Sequence, residues 1–198
     1  MPDPRRAHTR RRLLDAGQVL IADRGVSGLR IADITEQAGV ALGSFQNHFS
    51  SKEELVEAVI VEAVQTLAAQ IIDGPGALDG EPAAVAMAAL RRFVRLANED
   101  PAFCRLLVNL SHSEEVFVAA IRPFAQTALE RGAQAGAFEI EDIDLAVTSI
   151  VAGALAVIRR ILDGHLGVDA DIRLARVTLL GLGVAPQEAD RLSRLPLS

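Results

Sequence analysis

Apolar residues recur at three- and four-residue spacing along most of this chain, which is the pattern of amphipathic α-helices. Near the start, this pattern predicts a helix from Thr9 to Arg24, a short second helix that ends before Gly39, and a third from Leu42 to Phe49. A longer helix is predicted over residues 52–73, and two overlapping Ser-x-x-Glu capping boxes precede its apolar stripe.

The same spacing continues through the rest of the chain. It predicts further helices over about residues 82–98, 101–110, 114–135, 141–162 and 171–182, and a short one from residue 186. No segment alternates apolar and polar residues over the length of a strand. We therefore predict an all-α fold of two domains, a three-helix head over residues 1–51 and a larger helical bundle over residues 52–198.

The composition excludes several classes of protein. Of the 198 residues, 50% are hydrophobic and 23% are charged, so the chain can bury a core and is not wholly disordered. The longest uninterrupted apolar run, Ile150–Ile158, is shorter than the ~20 residues that span a bilayer. The first residues lack the apolar segment of a secretory signal. We expect a cytoplasmic protein that does not act at a membrane.

Cysteine and histidine usage excludes two further classes of site. The single cysteine, Cys104, cannot form an internal disulfide, and the four histidines are scattered along the chain. A disulfide scaffold and a zinc finger are therefore excluded, and we expect neither a metal nor a cofactor. A buried structural thiol is the more typical role of such a cysteine, and a redox sensor is the alternative.

The charge is unevenly distributed. Residues 1–52 contain eight basic and five acidic residues, a net charge of +3, whereas the remainder contains 12 basic and 21 acidic residues, a net charge of −9. A basic head on an acidic body is typical of a protein that touches nucleic-acid phosphate at one end only. A solvated N-terminal segment would show the same imbalance, so the charge alone leaves both interpretations open.

The second and third helices carry the first functional pattern. They are short, and the turn that joins them, Gly39-Val40-Ala41, contains a glycine, as in a helix-turn-helix. The outer face of the third helix would then enter a major groove, where amide side chains can bond adenine bidentately. The residues of that face are Ser44, Gln46, Asn47 and His48. Short polar helices are also common on ordinary protein surfaces.

The residues on either side of this turn extend the pattern. They are Leu13-Leu14-Asp15-Ala16, Gly25, Ile34, Ala38-Gly39-Val40, Gly43-Ser44-Phe45 and the run His48-Phe49-x-Ser51-Lys52-Glu53-x-Leu55. In this order and spacing, residues 9–60 resemble the DNA-binding head of the tetracycline-repressor (TetR) family. The resemblance implies a homodimeric, ligand-responsive transcriptional regulator. We expect a repressor that a small molecule releases from a palindromic operator on double-stranded DNA.

The resemblance also implies which residues contact DNA. In the family, the segment that matches residues 41–48 lies in the major groove, and the lysine that matches Lys52 contacts phosphate. An ammonium beside a helix N-terminus adds to the positive end of the helix dipole, which favours a phosphate there. The expected DNA contacts are Arg30, Thr35, Ala41, Leu42, Gly43, Ser44, Gln46, Asn47, His48 and Lys52.

Three positions depart from the family pattern or from the periodicity. Gln46 stands where the family usually has a tyrosine that contacts the DNA backbone, so one aromatic contact is missing. Arg30 replaces the usual hydroxyl cap of the second helix, at a cost of about 1 kcal/mol or with the gain of a phosphate contact. The periodicity buries Leu42, whereas the resemblance exposes it at the DNA surface, and we expect exposure with a contact to a thymine methyl group.

In the body, the apolar run Ile150–Ile158 has no polar face, so both of its sides need to be buried. One side can face the core and the other a second copy of the chain, in a four-helix interface with the helix over residues 171–182. The central helix of a monomer is the alternative. The expected interface residues are Ile150, Gly153, Ala154, Val157, Ile172, Ala175 and Leu179.

The middle helices carry apolar and aromatic side chains at helical spacing. Such a stripe is more typical of a plain core than of a cavity, but the TetR resemblance implies a ligand cavity among these helices. The effector would then be largely apolar. The candidate ligand-binding residues are Met87, Phe93, Phe103, Leu107, His112, Phe117 and Phe124.

Two other functional classes remain as alternatives. A small helical enzyme would need catalytic residues, and the chain has no catalytic triad with its supporting elbow, no phosphate-binding glycine loop and no metal-ligand spacing. We therefore name no catalytic residue and do not expect an enzyme. A helical interaction module, whose head would bind protein instead of DNA, is the other alternative.

Overall fold

The computed structural model describes residues 4–72, 80–113 and 115–197. Over these ranges the chain forms α-helices and no strand, which confirms the all-α prediction. The helices are α1 (Pro4–Arg24), α2 (Ile31–Ala38), α3 (Leu42–Gln46), α4 (Lys52–Ile72), α5 (Pro82–Glu99), α6 (Pro101–Ser113), α7 (Glu115–Gln134), α8 (Ile143–Leu162), α9 (Ala170–Gly181) and α10 (Pro186–Ser193). The predicted end of the fourth helix near residue 74 lies outside the described residues.

Besides α6, which ends at Ser113 rather than near residue 110, the first and third helices differ from the predicted bounds by three residues or more. The first begins at Pro4 rather than at Thr9, because its first turns are polar and carry no apolar stripe from which a start could be predicted. The third ends at Gln46 rather than at Phe49. The backbone amides of residues 48 and 49 both donate to the carbonyl of residue 45, so the chain tightens into a turn there.

The head packs around two phenylalanines. Phe45 is fully buried and Phe49 is 1% exposed, and their ring centroids lie 5.7 Å apart. Leu13 of α1 and Ile34 of α2 are also fully buried in this core. Because Phe45 is the buried residue of α3, its position fixes which face of that short helix points outward.

The turn between α2 and α3 depends on one glycine. Gly39 has a φ of 62° and a ψ of 41°, the left-handed conformation that non-glycine residues rarely adopt. The amide of Gly39 donates to the carbonyl of Glu36, and the amide of Val40 donates to that of Thr35. Arg12 of α1 donates to the Gly39 carbonyl over 3.1 Å, so the first helix holds this turn in place.

The start of α4 has half of the predicted Ser51-x-x-Glu54 capping box, because the carboxylate of Glu54 accepts from Ser50 and not from the amide of Ser51. The Glu54 amide donates to Ser51 Oγ over 3.1 Å, as in an N-cap. The Glu54 carboxylate accepts in return from the amide and the hydroxyl of Ser50, each over 2.6 Å. These hydrogen bonds from Ser50 lower the pKa of Glu54. The first turn of α4 is therefore fixed beside the head.

The head is attached to the body through α1. Gly17 of α1 faces Leu55 of α4, and a Cβ at residue 17 would lie only 2.7 Å from Leu55 Cδ2. Further along, Glu62 of α4 accepts hydrogen bonds from Arg11 and Gln18 of α1, at 3.1 and 2.8 Å. The glycine thus allows α1 and α4 to approach closely, and the polar contacts fix their register.

A second attachment joins α1 to α6. The side-chain amide of Asn109 donates to the carbonyls of Ile21 and Ala22, over 2.9 and 3.0 Å. These carbonyls lie in the last turn of α1, where backbone partners run out, and the Ile21 carbonyl accepts from the amide of Gly25 as well. A side chain of the body therefore completes the end of a head helix.

In the body, α5 is bound to α9 by a buried ion pair. Arg91 is 3% exposed and Asp171 is 1% exposed, and Arg91 Nε donates to Asp171 Oδ2 over 3.0 Å. Arg95 donates to the same oxygen over 3.1 Å, and Arg91 also donates to the carbonyl of Leu195. Because buried charges are costly unless paired, these contacts fix α5, α9 and the C-terminal segment relative to one another.

Helix α8 is long and apolar enough to cross a membrane by length and composition. Only 22% of its most apolar 18-residue window is buried within the chain. Leu145 of α8 is 62% exposed and Val177 of the neighbouring α9 is 63% exposed. The body thus presents apolar side chains of two adjacent helices to its surroundings.

Candidate nucleic-acid interface and effector cavity

The outer face of α3 is open, as the helix-turn-helix prediction requires. Gln46 and Asn47 are exposed, and Ser44 and His48 are half-buried. Asn47 and His48 follow the last residue of α3 instead of lying within it, so they occupy the turn that leads toward α4. Amide groups at residues 46 and 47 are therefore free to reach base edges or phosphates.

The structure supports exposure of Leu42 over the burial that the periodicity predicts. Leu42 is 61% exposed because it is the first residue of α3, where only Phe45 turns toward the core. Its neighbours Ala41 and Gly43 are exposed as well. An exposed leucine on a polar helix is available for apolar contact with a base methyl group.

Arg30 and Lys52 lie at the N-termini of α2 and α4. Arg30 is the N-cap of α2, and its side chain makes no cap hydrogen bond and is exposed. Lys52 is the first residue of α4 and is half-buried. Each cation thus stands where unsatisfied amides already favour an anion.

The prediction that Thr35 contacts DNA is wrong for its side chain. Thr35 is 4% exposed, and its hydroxyl donates to the carbonyl of Ala32 in the same helix over 2.9 Å. The backbone carbonyl of Thr35 also accepts a hydrogen bond from the amide of Val40 in the α2–α3 turn. Thr35 therefore supports the turn rather than the outer surface.

Arginines of α1 form part of this surface that the site prediction missed. Arg6 donates to the carbonyl of Asn47 over 3.1 Å, and the Arg10 guanidinium lies 5.0 Å from the ring centroid of Phe49. Both residues are exposed. The excess positive charge of residues 1–52 was the sequence signal for them, but a charge count does not show which arginines turn toward α3.

These arginines also affect a histidine of the turn. Partial burial, followed by the positive charges of Arg6 and Arg10, lowers the pKa of His48 below its usual value. The neutral imidazole therefore predominates at pH 7, with one nitrogen that donates and one that accepts. In this form His48 can act as either a donor or an acceptor of hydrogen bonds.

A cavity of about 550 Å³ lies in the body among α4, α5, α7 and α8. Its walls are mostly apolar, and the residues that line it include Leu67 and Ile71 of α4, Met87, Leu90 and Phe93 of α5, Phe124 and Leu129 of α7, and Ile150, Val151 and Ala154 of α8. A cavity of this volume with mostly apolar walls is typical of binding sites for small organic molecules.

The cavity includes some of the predicted ligand-binding residues. Met87, Phe93 and Phe124 line it. Phe103 and Leu107 do not, because they lie on α6, none of whose described residues is part of the wall.

Phe117 is also absent from the cavity wall, since it is fully buried in the core near the start of α7. The side chain of His112 lies outside the described residues. The prediction missed α4 and α8 as cavity walls, because their apolar stripes alone do not distinguish a wall from a packed core.

The predicted dimer surface needs a correction. Ala154 is 1% exposed, and Ala175 and Leu179 are fully buried within the chain, so they cannot face a second copy. Helical spacing identified the apolar stripe but assigned the core side of α8 and α9 to the interface. The apolar side chains that do point outward include Leu145 and Val177.

The other predicted interface residues are only partly buried. Gly153, Val157 and Ile172 are half-buried, and Ile150 is half-buried and lines the cavity. Ala152 and Ala156, one turn apart on α8, are exposed. Small side chains at these two positions allow close approach of another helix.

Cys104 is fully buried, and burial, followed by the charges of Asp100 and Glu99, raises the pKa of its thiol to about 12. A thiol without thiolate character is inert, so the structure favours the structural role over redox sensing. Within the described residues, no three side chains of histidine, cysteine, aspartate or glutamate are placed to hold a metal ion.

Comparison with known families gives matches over both parts of the chain. A family described as bacterial regulatory proteins, tetR family, matches residues 13–59. A second, described as tetracyclin repressor-like, C-terminal domain, matches residues 81–194. Members of this family regulate transcription and are not enzymes.

Curated relatives match a shorter part. The HTH-type transcriptional repressor KstR2 of Mycolicibacterium smegmatis is 41% identical over 54 residues, 27% of this chain and 26% of that protein. The HTH-type transcriptional repressor DhaR of Mycobacterium sp. (strain GP1) is 42% identical over 57 residues, 29% of each chain. The chain thus spans about a quarter of the length of these relatives.

Solved structures match almost the whole chain. RolR in complex with resorcinol has a TM-score of 0.73 and 32% identity, over 98% of this chain and 97% of that one. A TetR-family regulator from Shewanella sp. PV-4 has a TM-score of 0.77 over 88% of this chain and 97% of that one, and at 21% identity it supports the fold alone. The C-terminal family match and the similarity to RolR together show that this chain belongs to the TetR family of transcriptional regulators.

Proposed function

We propose that this protein is a homodimeric, cytoplasmic repressor that reads a palindromic operator with its two heads and leaves it when a small, largely apolar molecule enters the body. The observation that carries the proposal is the course of α4. Lys52 begins this helix six residues after the end of α3, and Leu67 and Ile71 near its other end line the cavity. One continuous helix thus joins the two candidate sites.

On the DNA side, the exposed face of the head offers both classes of contact. Asn47 and Gln46 are the side chains we assign to base edges, because an amide matches the donor and acceptor pair of adenine. Arg30 and Lys52 are assigned to phosphates, which position the head without selecting a sequence. Their helix N-termini add amide groups to these phosphate contacts.

The need for two heads explains the exposed apolar side chains of the body. A single three-helix head makes few base contacts, whereas a two-fold dimer reads two half-sites about 34 Å apart or a multiple of that distance. We place the dimer contact on the outward faces of α8 and α9, around Ala152, Ala156 and Val177. Burial of these apolar side chains against a second copy would stabilise the dimer.

Release from DNA requires a molecule that prefers one of two forms of the protein. A ligand can shift such an equilibrium only by its difference in affinity for the two forms. Because α4 forms part of the cavity wall, a bound molecule contacts the same helix that carries Lys52. The structure of RolR holds resorcinol, a small aromatic molecule, and we propose a small organic effector for this protein by analogy.

The test begins with selection of duplexes from a random pool by the full-length protein. Recovery of a palindrome is the expected result. The mutation Lys52→Ala should then weaken binding to every duplex and reduce the slope of log affinity against log salt by about one. Asn47→Ala should instead relax the preference at one base position in each half-site.

A matched control is Arg105→Ala, which removes an exposed cation from α6 in the body. This variant should bind the selected duplex as the original protein does. Wild-type behaviour of both Lys52→Ala and Asn47→Ala would contradict the placement of α3 on DNA. Absence of any duplex binding at low salt would contradict the proposed function as a whole.

A further inference from the structure

We propose, on the basis of the function proposed above, that the effector is an organic monocarboxylic acid. Its apolar body fills the cavity, and its carboxylate lies at the cavity mouth against Arg131. The proposal depends on the distribution of polar groups in the lining, on the lack of a partner for the Arg131 guanidinium among the described residues, and on the course of α7 along the opening.

The lining is apolar apart from one short stretch. Among the described lining residues, only Thr127 and Arg131 have side chains that form hydrogen bonds. Their spacing of four residues places them one turn apart on the same face of α7. A ligand that fills the cavity therefore meets hydrocarbon on α4, α5 and α8, and among the described lining residues it finds side-chain hydrogen-bond partners only along this face of α7.

That face of α7 lies at the open side of the cavity. Thr127 and Arg131 are both exposed, and Phe124, one turn before them, is 46% exposed while it also lines the cavity. The two polar side chains therefore mark a rim in contact with water. A ligand group bound there remains partly hydrated, whereas the rest of the ligand is desolvated.

The Arg131 guanidinium has no hydrogen-bond or ion-pair partner among the described residues, although other arginines of the body, such as Arg91 and Arg122, are paired with carboxylates. No described residue of the lining is an aspartate or a glutamate. The described part of the lining can thus offer a positive charge to a ligand but no negative one. A cationic ligand would lose hydration without gaining a partner.

The chemistry of the rim selects the kind of anion. A guanidinium is permanently charged and forms two parallel hydrogen bonds with a carboxylate, and Thr127 can donate a third from its hydroxyl. A single arginine balances a single negative charge. A monocarboxylate on an apolar aliphatic or aromatic body therefore matches both the rim and the walls.

The test measures binding by calorimetry with full-length protein and two matched pairs of probes. The pairs are 4-phenylbutanoate with 4-phenylbutanamide and octanoate with octanamide, which differ in charge at nearly constant shape. Wild-type protein should bind each acid about five-fold more tightly than its amide, the upper range for an exposed ion pair. Arg131→Gln should remove this preference, and Thr127→Val should reduce it.

A control variant, Arg105→Gln, removes an exposed arginine of α6, which contributes no described residue to the lining. It should keep the preference for the acid. Equal affinity for acid and amide in wild-type protein would overturn the proposal. Persistence of the preference in Arg131→Gln, or failure of both acids to bind at millimolar concentration, would overturn it as well.

Release of a selected duplex separates this inference from the proposed function. If the amides bind and release the duplex as well as the acids do, the carboxylate assignment is wrong and the repressor function stands. If the acids bind but the protein retains no duplex even without them, the repressor function is wrong and the ligand assignment stands.

Discussion

The head and the body of this protein are both helical, but they are packed differently. The head buries Phe45 and Phe49 in its core and exposes Gln46 and Asn47 at the end of α3. The body, with more residues available, keeps a cavity of about 550 Å³ among α4, α5, α7 and α8. A tightly packed unit holds side chains in fixed positions, as DNA reading requires. A unit with a cavity can bind a small molecule and change its conformation when it does so.

The largest predicted effect compares one phenylalanine in each region. Phe45→Ala removes a fully buried ring from the core of the head and should lower the free energy of unfolding by about 3–5 kcal/mol. Phe93→Ala should cost less than about 3 kcal/mol, because Phe93 already borders empty space on one side. Urea denaturation at a fixed protein concentration measures both, since the stability of a dimer depends on concentration.

Equal losses in the two variants would contradict this difference in packing. A larger loss for Phe93→Ala would show that the cavity wall, rather than the core of the head, limits stability. Binding of the selected duplex gives a second readout, because Phe45 anchors α3 and Phe93 has no contact with it. Only Phe45→Ala should weaken DNA binding at temperatures where both variants are folded.

A smaller effect is expected at the turn that positions α3. Gly39→Ala forces a side chain into a left-handed conformation, and its Cβ would lie 2.7 Å from an Arg12 nitrogen. We expect a loss of about 1–2 kcal/mol in the free energy of unfolding, again measured by urea denaturation. Gly43→Ala is the control, since nothing lies within 4 Å of its added Cβ, and it should be neutral or stabilising.

The smallest effect tests the boundary between the two regions. Asn109→Ala removes two hydrogen bonds to the last turn of α1 and should cost about 1 kcal/mol. Asn98→Ala, at an exposed site on α5, should change stability by no more than about 0.5 kcal/mol. Thermal unfolding of the two variants, compared at one concentration, is the measurement. Equal unfolding temperatures of the two variants would show that the α1–α6 contact does not stabilise the head.

The sequence predicted the helices more completely than the surfaces. Apolar spacing and glycine stops located every described helix, because both signals are local. The prediction missed the first turns of α1, where arginines replace the apolar stripe, and it extended α3 past Gln46. Periodicity shows that a residue is apolar on a helix but does not show which neighbour covers it.

The errors in the candidate sites have the same physical origin. Ala175 and Leu179 belong to an apolar stripe, and that stripe packs inward, whereas Val177 points outward. Phe103 and Leu107 are apolar in a body that has a cavity, but none of the described residues of their helix lines it. The side chain of Thr35 is polar and near the turn, but it bonds inside α2. Each of these outcomes depends on which side of a helix packs against the rest of the fold, and helical spacing alone does not show this.

The separation of α6 from the cavity has a consequence for redesign. The helix that holds Asn109 against α1 shares none of its described residues with the cavity wall. Substitutions in the part of the wall that α5 and α7 form can therefore alter chemical selectivity while the contact between Asn109 and α1 stays intact. The protein is thus a suitable starting point for biosensors that respond to new small molecules and still bind the same operator.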